Sequence, residues 1–238
     1  MVVGDNDDLR RELIEFFHAS ALGGHSGVHA TKQRLARSVY WKGMQAQVRN
    51  FVRSCHVCQQ SKYETAASSG LLQPIEIPDR FWSVVSMDFV EGLPKSGGYT
   101  TILVVVDKLS KFAHFLALKH PYTVATISQL FLDNITKLYG MPDKIISDRD
   151  PLFLSNFWKE LFRVHKTRLA HSTAYHPQSD GQTEMLNRCL ETYLRCFTLE
   201  APTTWAKWLP LAQLWYNTSH HSSLKMSPYQ AWEPIRDF

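Results

Sequence analysis

Three carboxylates stand where carboxylates are costly. Asp88 interrupts the apolar run Val84-Val85-Ser86-Met87-Asp88-Phe89-Val90, Asp148 follows Lys144-Ile145-Ile146-Ser147, and Glu184 falls early in a long helical pattern. A carboxylate among apolar neighbours must find a partner. Taken singly, each acid reads as a cap or a turn. Taken together at one point, the three form a cage of hard oxygen ligands suited to Mg²⁺ or Mn²⁺. Two such ions can clamp the attacking and the leaving oxygen of an in-line phosphoryl displacement.

A second constellation has softer ligands. His18, His25, Cys55 and Cys58 are spaced H-x6-H-x29-C-x2-C. Zinc favours four tetrahedral ligands drawn from imidazole and thiolate, and four protein ligands leave no open position. This metal is therefore expected to be structural. His29 competes with His25, and His56 lies between the cysteines, so the spacing leaves both as rivals. Cys189 and Cys196, seven apart on one helix, are expected in the core.

The elements that must position these groups are legible as patterns. Helices are expected over 8–18, from Thr31 to about Arg37 and from about Met44 to Ser54, giving a small helical module over 8–63. Residues 64–80, with Ser68-Ser69-Gly70, Pro74 and Pro78, read as a linker. The pattern then changes to strands at 84–90, 101–106 and 112–118, a helix at 126–139 and a strand at 144–147. A helix at 155–164 and a strand at 169–172 follow. Long helices at 181–197 and 204–217 complete the order, the latter packing through Trp205, Trp208, Leu209, Leu211, Ala212, Trp215 and Tyr216. This is a mixed α/β unit over 81–234.

Composition narrows the function. Of 238 residues, 44% are hydrophobic, enough for a core. No run of 18 apolar residues occurs, so no membrane association is expected. The acidic start, Met1 to Asp8, does not look like a secretory signal. The net charge is +4, but no acid lies between Glu15 and Glu64, where Lys32, Arg34, Arg37, Lys42, Arg49, Arg53 and Lys62 all fall. Such a stretch can neutralise phosphates.

The segments 86–90, 146–150 and 172–184 resemble the integrases of gypsy-type LTR retrotransposons, in the retroviral integrase superfamily. The 35 residues between Asp148 and Glu184 match that family's D, D-x35-E pattern. Segments 104–112 and 157–162 are similar too, as are Gly24-His25-Ser26-Gly27 and Tyr40-Trp41-Lys42-Gly43-Met44 around the His/His/Cys/Cys module. The resemblance runs from about residue 9 to residue 234. It implies an RNase H-like core, a mixed five-stranded sheet flanked by helices, in which the first and fourth strands are neighbours. It implies that Asp88, Asp148 and Glu184 bind the catalytic Mg²⁺ or Mn²⁺, and that His18, His25, Cys55 and Cys58 bind structural Zn²⁺. The activity implied is trimming of the 3′ ends of element DNA and their joining to target DNA. DNA contacts are expected from the loop carrying Tyr175, His176, Gln178 and Gln182, and from Asn187 and Arg188 on the helix. A homo-oligomer and a nuclear location follow from the function. Family members continue into a carboxy-terminal DNA-binding domain, so this chain is expected to hold the zinc module and the core only. Three departures from the family pattern stand out: Lys166 for a glycine, Gln213 for an acid, and Trp232-Glu233-Pro234 for the usual ending. The competing reading is a retained fragment that binds DNA without catalysis.

Overall fold

The computed structural model describes residues 1–62, 78–147, 167–171 and 178–232. Asp148, Tyr175 and His176, the expected helix at 155–164 and most of the expected linker lie outside them, as do Lys166 and Glu233-Pro234.

Four helices come first: α1 (Asp7–Ala19), α2 (Val28–Ala36), α3 (Met44–Ser54) and α4 (His56–Ser61). Asn6 caps α1, its side chain accepting from the Leu9 N–H. α2 begins three residues before the expected Thr31. α4 was not expected; it places Cys55 and Cys58 at a helix start. The apolar faces meet in a small core of Val3, Ile14, Leu35, Val39, Trp41, Met44 and Val48.

The second region is a five-stranded sheet ordered β3-β2-β1-β4-β5, from β1 (Val84–Val90), β2 (Thr101–Asp107), β3 (Ala113–Leu118), β4 (Lys144–Ser147) and β5 (Arg168–His171). β1 pairs antiparallel with β2 and parallel with β4, so first and fourth strands are neighbours as expected. This is the RNase H-like arrangement. β2 is buried along its whole length, which suits its β-branched run. Its residues alternate between two cores. Ile102, Val104 and Val106 face α7 (Gln178–Thr198) and α8 (Leu209–Thr218), while Leu103 and Val105 face α5 (Val124–Phe131). The same alternation sends Val85 and Met87 of β1 toward α5. It leaves Ser86, Asp88 and Val90 for the α7 side.

α5 is capped by Thr123 and runs through a π turn (Leu132–Thr136) into α6 (Lys137–Tyr139). The chain then leaves the helix at Gly140, where φ is +81°. The helix expected at 204–217 is in two pieces, a 3₁₀ stretch (Pro202–Trp208) and then α8. Pro210 offers no N–H and so sits in the first turn of the second piece. Leu211 faces solvent instead of packing. Cys189 is likewise exposed, whereas Cys196 is buried. Gln213, the departure from an acid, has a use here. Its side chain accepts from the Phe115 N–H, and Asn217 both accepts from and donates to the Ala113 backbone. Two amides one helical turn apart thus satisfy the open edge of β3. Trp232, in the short α9 (Pro228–Trp232), packs edge-on against Trp82 and Tyr139. No helix among the described residues is long and apolar enough to cross a membrane.

Candidate functional site

The two histidines and two cysteines converge. One donor atom from each of His18, His25, Cys55 and Cys58 lies within 4.8 Å of all the others. Cys55 Sγ is 3.5 Å from His25 Nδ1, and Cys58 Sγ is 3.4 Å from His18 Nε2 and 3.8 Å from His25 Nδ1. Zn–S bonds of about 2.3 Å and Zn–N bonds of about 2.0 Å put tetrahedral neighbours about 3.5 Å apart. The cluster therefore fits zinc by donor type, number and spacing. His29 and His56, the rivals in sequence, are exposed and outside the group.

Local geometry explains the convergence. His18 ends α1, and the chain folds back sharply so that the His25 N–H donates to the His18 carbonyl at 2.8 Å. A Cβ at Gly23 would fall 2.5 Å from that carbonyl oxygen, and Gly24 takes φ +62°. Cys55 closes α3 and Cys58 lies one turn into α4. His18 Nδ1 lies 3.4 Å from Thr31 Oγ1, and that hydroxyl donates to the Ser26 carbonyl at 3.2 Å. This fixes the ring so that Nε2 is free to ligate. Burial, with His25 adding to it, holds His18 down to about 4. Burial also pushes the Cys58 thiol up to about 11, against the pull of Lys62. Such thiols are deprotonated by a bound cation rather than by their surroundings.

The carboxylate region is built differently. Asp88, half-buried near the end of β1, receives the Asn187 amide on Oδ2 at 2.7 Å and its neighbour's backbone N–H on Oδ1 at 2.8 Å. One turn earlier on α7, Thr183 donates to Ser86 at 3.0 Å. Two contacts, four residues apart on the helix and two apart on the strand, lay α7 along β1. Glu184 follows Thr183 and is half exposed on the flank of that contact, with Arg188 3.9 Å away. Asp148 lies outside the described residues. The register pairs Ser147 with Met87, and Asp148 and Asp88 are the next residues in sequence.

Of the residues expected to touch DNA, Arg188 is exposed beside Glu184. Asn187 is 9% exposed and turned to Asp88. Gln178 and Gln182 belong to α7 instead of a loop, because the helix begins three residues before Gly181 and tolerates that glycine in its first turns. Sequence reasoning missed the Thr183–Ser86 and Asn187–Asp88 pairs. The signal was present in the alternation of β1, which puts 86 and 88 on one face, and in the i, i+4 spacing of 183 and 187.

The model of the integrase zinc binding domain family matches residues 5–64. The chain is 34% identical over 230 residues to the transposon Tf2-3 polyprotein of Schizosaccharomyces pombe (strain 972 / ATCC 24843), covering 97% of this chain and 17% of the polyprotein. The Tf2-4 polyprotein of the same organism matches to the same extent. The chain thus spans 17% of the length of these curated relatives. Among solved structures, the HTLV-2 integrase catalytic core domain in complex with magnesium (trimeric form) matches with a TM-score of 0.50 at 20% identity, covering 63% of this chain and 95% of that one. A chain of the simian T-cell lymphotropic virus intasome in complex with PP2A regulatory subunit B56 gamma matches with a TM-score of 0.58 at 19% identity, covering 92% and 76%. At such identities these two likenesses concern the fold, and the second extends over the helical module as well as the sheet. With a zinc cluster where the zinc-binding family has its match and 34% identity to transposon polyproteins along nearly its whole length, the chain belongs to the integrases of LTR retrotransposons.

Proposed function

We propose that this chain is the catalytic part of a polynucleotidyl transferase that trims the 3′ ends of element DNA and joins them to target DNA. The observation that carries the reading is the laying of α7 on β1 through Thr183–Ser86 and Asn187–Asp88, which brings the helical turn of Glu184 against the strand of Asp88. Asp88, Asp148 and Glu184 supply hard carboxylate oxygens, the donor set that suits Mg²⁺ or Mn²⁺. When bound, the divalent ions lower the pKa of a nucleophilic oxygen and neutralise charge on the phosphoryl group. The chain's own part is positional. Asn187 holds Asp88 to one rotamer, α7 carries Glu184 as a rigid rod, and the sheet beneath prevents either from relaxing.

DNA is the substrate and the principal partner in this reading. Arg188, beside Glu184, is placed to meet a phosphate, and the acid-free stretch between Glu15 and Glu64 gives the helical module a basic character suited to the duplex backbone. Tyr175, His176, Gln178 and Gln182 remain proposed DNA contacts. Joining two DNA ends to one target calls for a homo-oligomer, and a genomic target for a nuclear location. Residues 8–63 act as the zinc module and 81–234 as the core.

The test is a branched DNA that mimics the joined product, incubated with zinc-loaded chain and Mn²⁺. Reversal of joining on this substrate needs only the core chemistry. The parent resolves it, and Asp88→Asn and Glu184→Gln bind it as tightly but leave it intact. Binding without resolution by the parent favours the non-catalytic reading instead. Resolution by both variants contradicts the site.

A further inference from the structure

Helix α7 serves two regions at once. Its first half lies on β1 and carries Glu184, and its last turns lie against the zinc module. About 20 Å of continuous helix separate Glu184 from Phe197. At the far end the Tyr193 hydroxyl donates to the Ala21 carbonyl at 3.0 Å, and the Phe197 ring sits 5.5 Å from that of His25, a member of the zinc cluster. Tyr193 in turn packs on Phe197 at 4.7 Å and on Trp215 of α8 at 4.8 Å.

The contact closes on Ser26, the residue after His25. Ser26 Oγ donates to the Gly23 carbonyl at 2.6 Å and accepts from Arg34 at 2.7 Å and from the Trp215 indole N–H at 3.1 Å. One donor and two acceptor positions are thereby filled, all that a hydroxyl has. Arg34 donates also to the Gly23 carbonyl at 3.0 Å and, across the gap, to Ser219 Oγ at 2.6 Å at the end of α8. Among the described residues no carboxylate pairs with this guanidinium, and burial lowers it to about 10. With no counter-ion among the described residues, the charge is held by two hydrogen bonds within the module and by a third, to Ser219, that exists only while module and core are docked. Gly24 completes the fit. A Cβ there would meet the Trp215 indole nitrogen at 2.1 Å, so the indole rests directly on the zinc loop's backbone.

We propose that Trp215 and Ser219 are positioning residues on the core that hold the zinc loop in its ligating shape, and that zinc occupancy in return orders the end of α7. Coupling of this kind is reciprocal: whatever zinc does for the docked helix, the docked core does for zinc. The significance for Glu184 rests on the function proposed above. The linkage itself does not, because zinc release and amide exchange are read without DNA.

The experiment uses the full chain loaded with zinc. Release to a chromogenic chelator is timed in the parent, in Trp215→Phe and in Ser219→Ala, and amide exchange is followed along residues 186–197 before and after chelation. Neither variant alters a zinc ligand or any residue of the module. Each is expected to release zinc about 5-fold faster or more, as loss of one partly buried hydrogen bond implies. In the parent, chelation raises exchange along 186–197. In Trp215→Phe, exchange is already raised with zinc bound and changes less on chelation. Zinc release at the parental rate in both variants overturns the proposal. Protected 186–197 in the chelated parent does so too, and this arm needs no variant to fold.

Discussion

The two regions of this molecule hold polar side chains by opposite means. The helical module has a core of only seven buried apolar residues, beside a ligand cluster whose donors are already gathered and mostly buried. In the core, an extensive two-sided apolar sheet supports carboxylates that stay partly open to solvent. A small core that cannot stabilise itself needs a metal to close it, so its ligands must point inward and leave no vacancy. A sheet with helices on both faces needs no metal to fold, so its acids can be spared for a substrate. The difference suits a metal that builds the module and, in the function proposed above, one that acts in the core, and it can be broken from either side.

The largest effect is expected from the module. Cys58→Ser removes one thiolate from a closed site, and the bound zinc measured per chain falls to near zero. The helical signal of residues 7–61 goes with it, since the metal's binding energy is largely folding energy. The core should still give its own cooperative transition in urea. The next effect belongs to the sheet. Val104→Ala empties space at the fully buried centre of β2 and costs roughly 2–4 kcal/mol in the core's unfolding, with zinc content unchanged.

The pH dependence sharpens the contrast further. Burial holds His114 of β3 down to about 4, and its ring bonds to the Tyr139 hydroxyl at 2.9 Å. Its folded value lies below the unfolded 6.5. The unfolded chain therefore takes up the proton first, and the stabilisation is complete above about pH 6.5 and lost as pH falls toward 4. At pH 5 the core should be weaker by on the order of 2 kcal/mol than at pH 7. In His114→Gln the urea midpoint should move less between those two pH values. The smallest effect on stability, and the most selective, is Asn187→Ala. The pair with Asp88 lies at the margin of the core, so unfolding should shift by about 1 kcal/mol. On the proposed function, resolution of branched DNA should nevertheless fall about 10-fold, as loss of a group that orients a metal ligand does.

Much of this was legible in residue patterns because local chemistry carried it. Strands β1, β2 and β4 were bounded to within a residue by apolar runs that suit no exposed element. The zinc ligands were legible because C-x-x-C and two histidines have few other uses together. Their selection over His29 and His56 was not, since it depends on a turn at Gly23–Gly24 that only the folded loop reveals. The start of α7 was misread because Gly181 looked like a boundary, while a glycine in the first turns of a long packed helix costs less than the packing returns. Docking of the module on Trp215 was not legible at all. It joins Ser26 to a residue 189 positions away, and nothing in a local pattern reports so distant a contact.

The central claim is that Asp88 helps hold a divalent ion that the zinc cluster does not. Calorimetric titration of Mn²⁺ into the zinc-loaded chain tests it most directly. The parent is expected to bind Mn²⁺ saturably with its zinc in place, and Asp88→Asn is expected to lose that binding while keeping one zinc per chain. Equal Mn²⁺ binding by parent and variant would contradict the account.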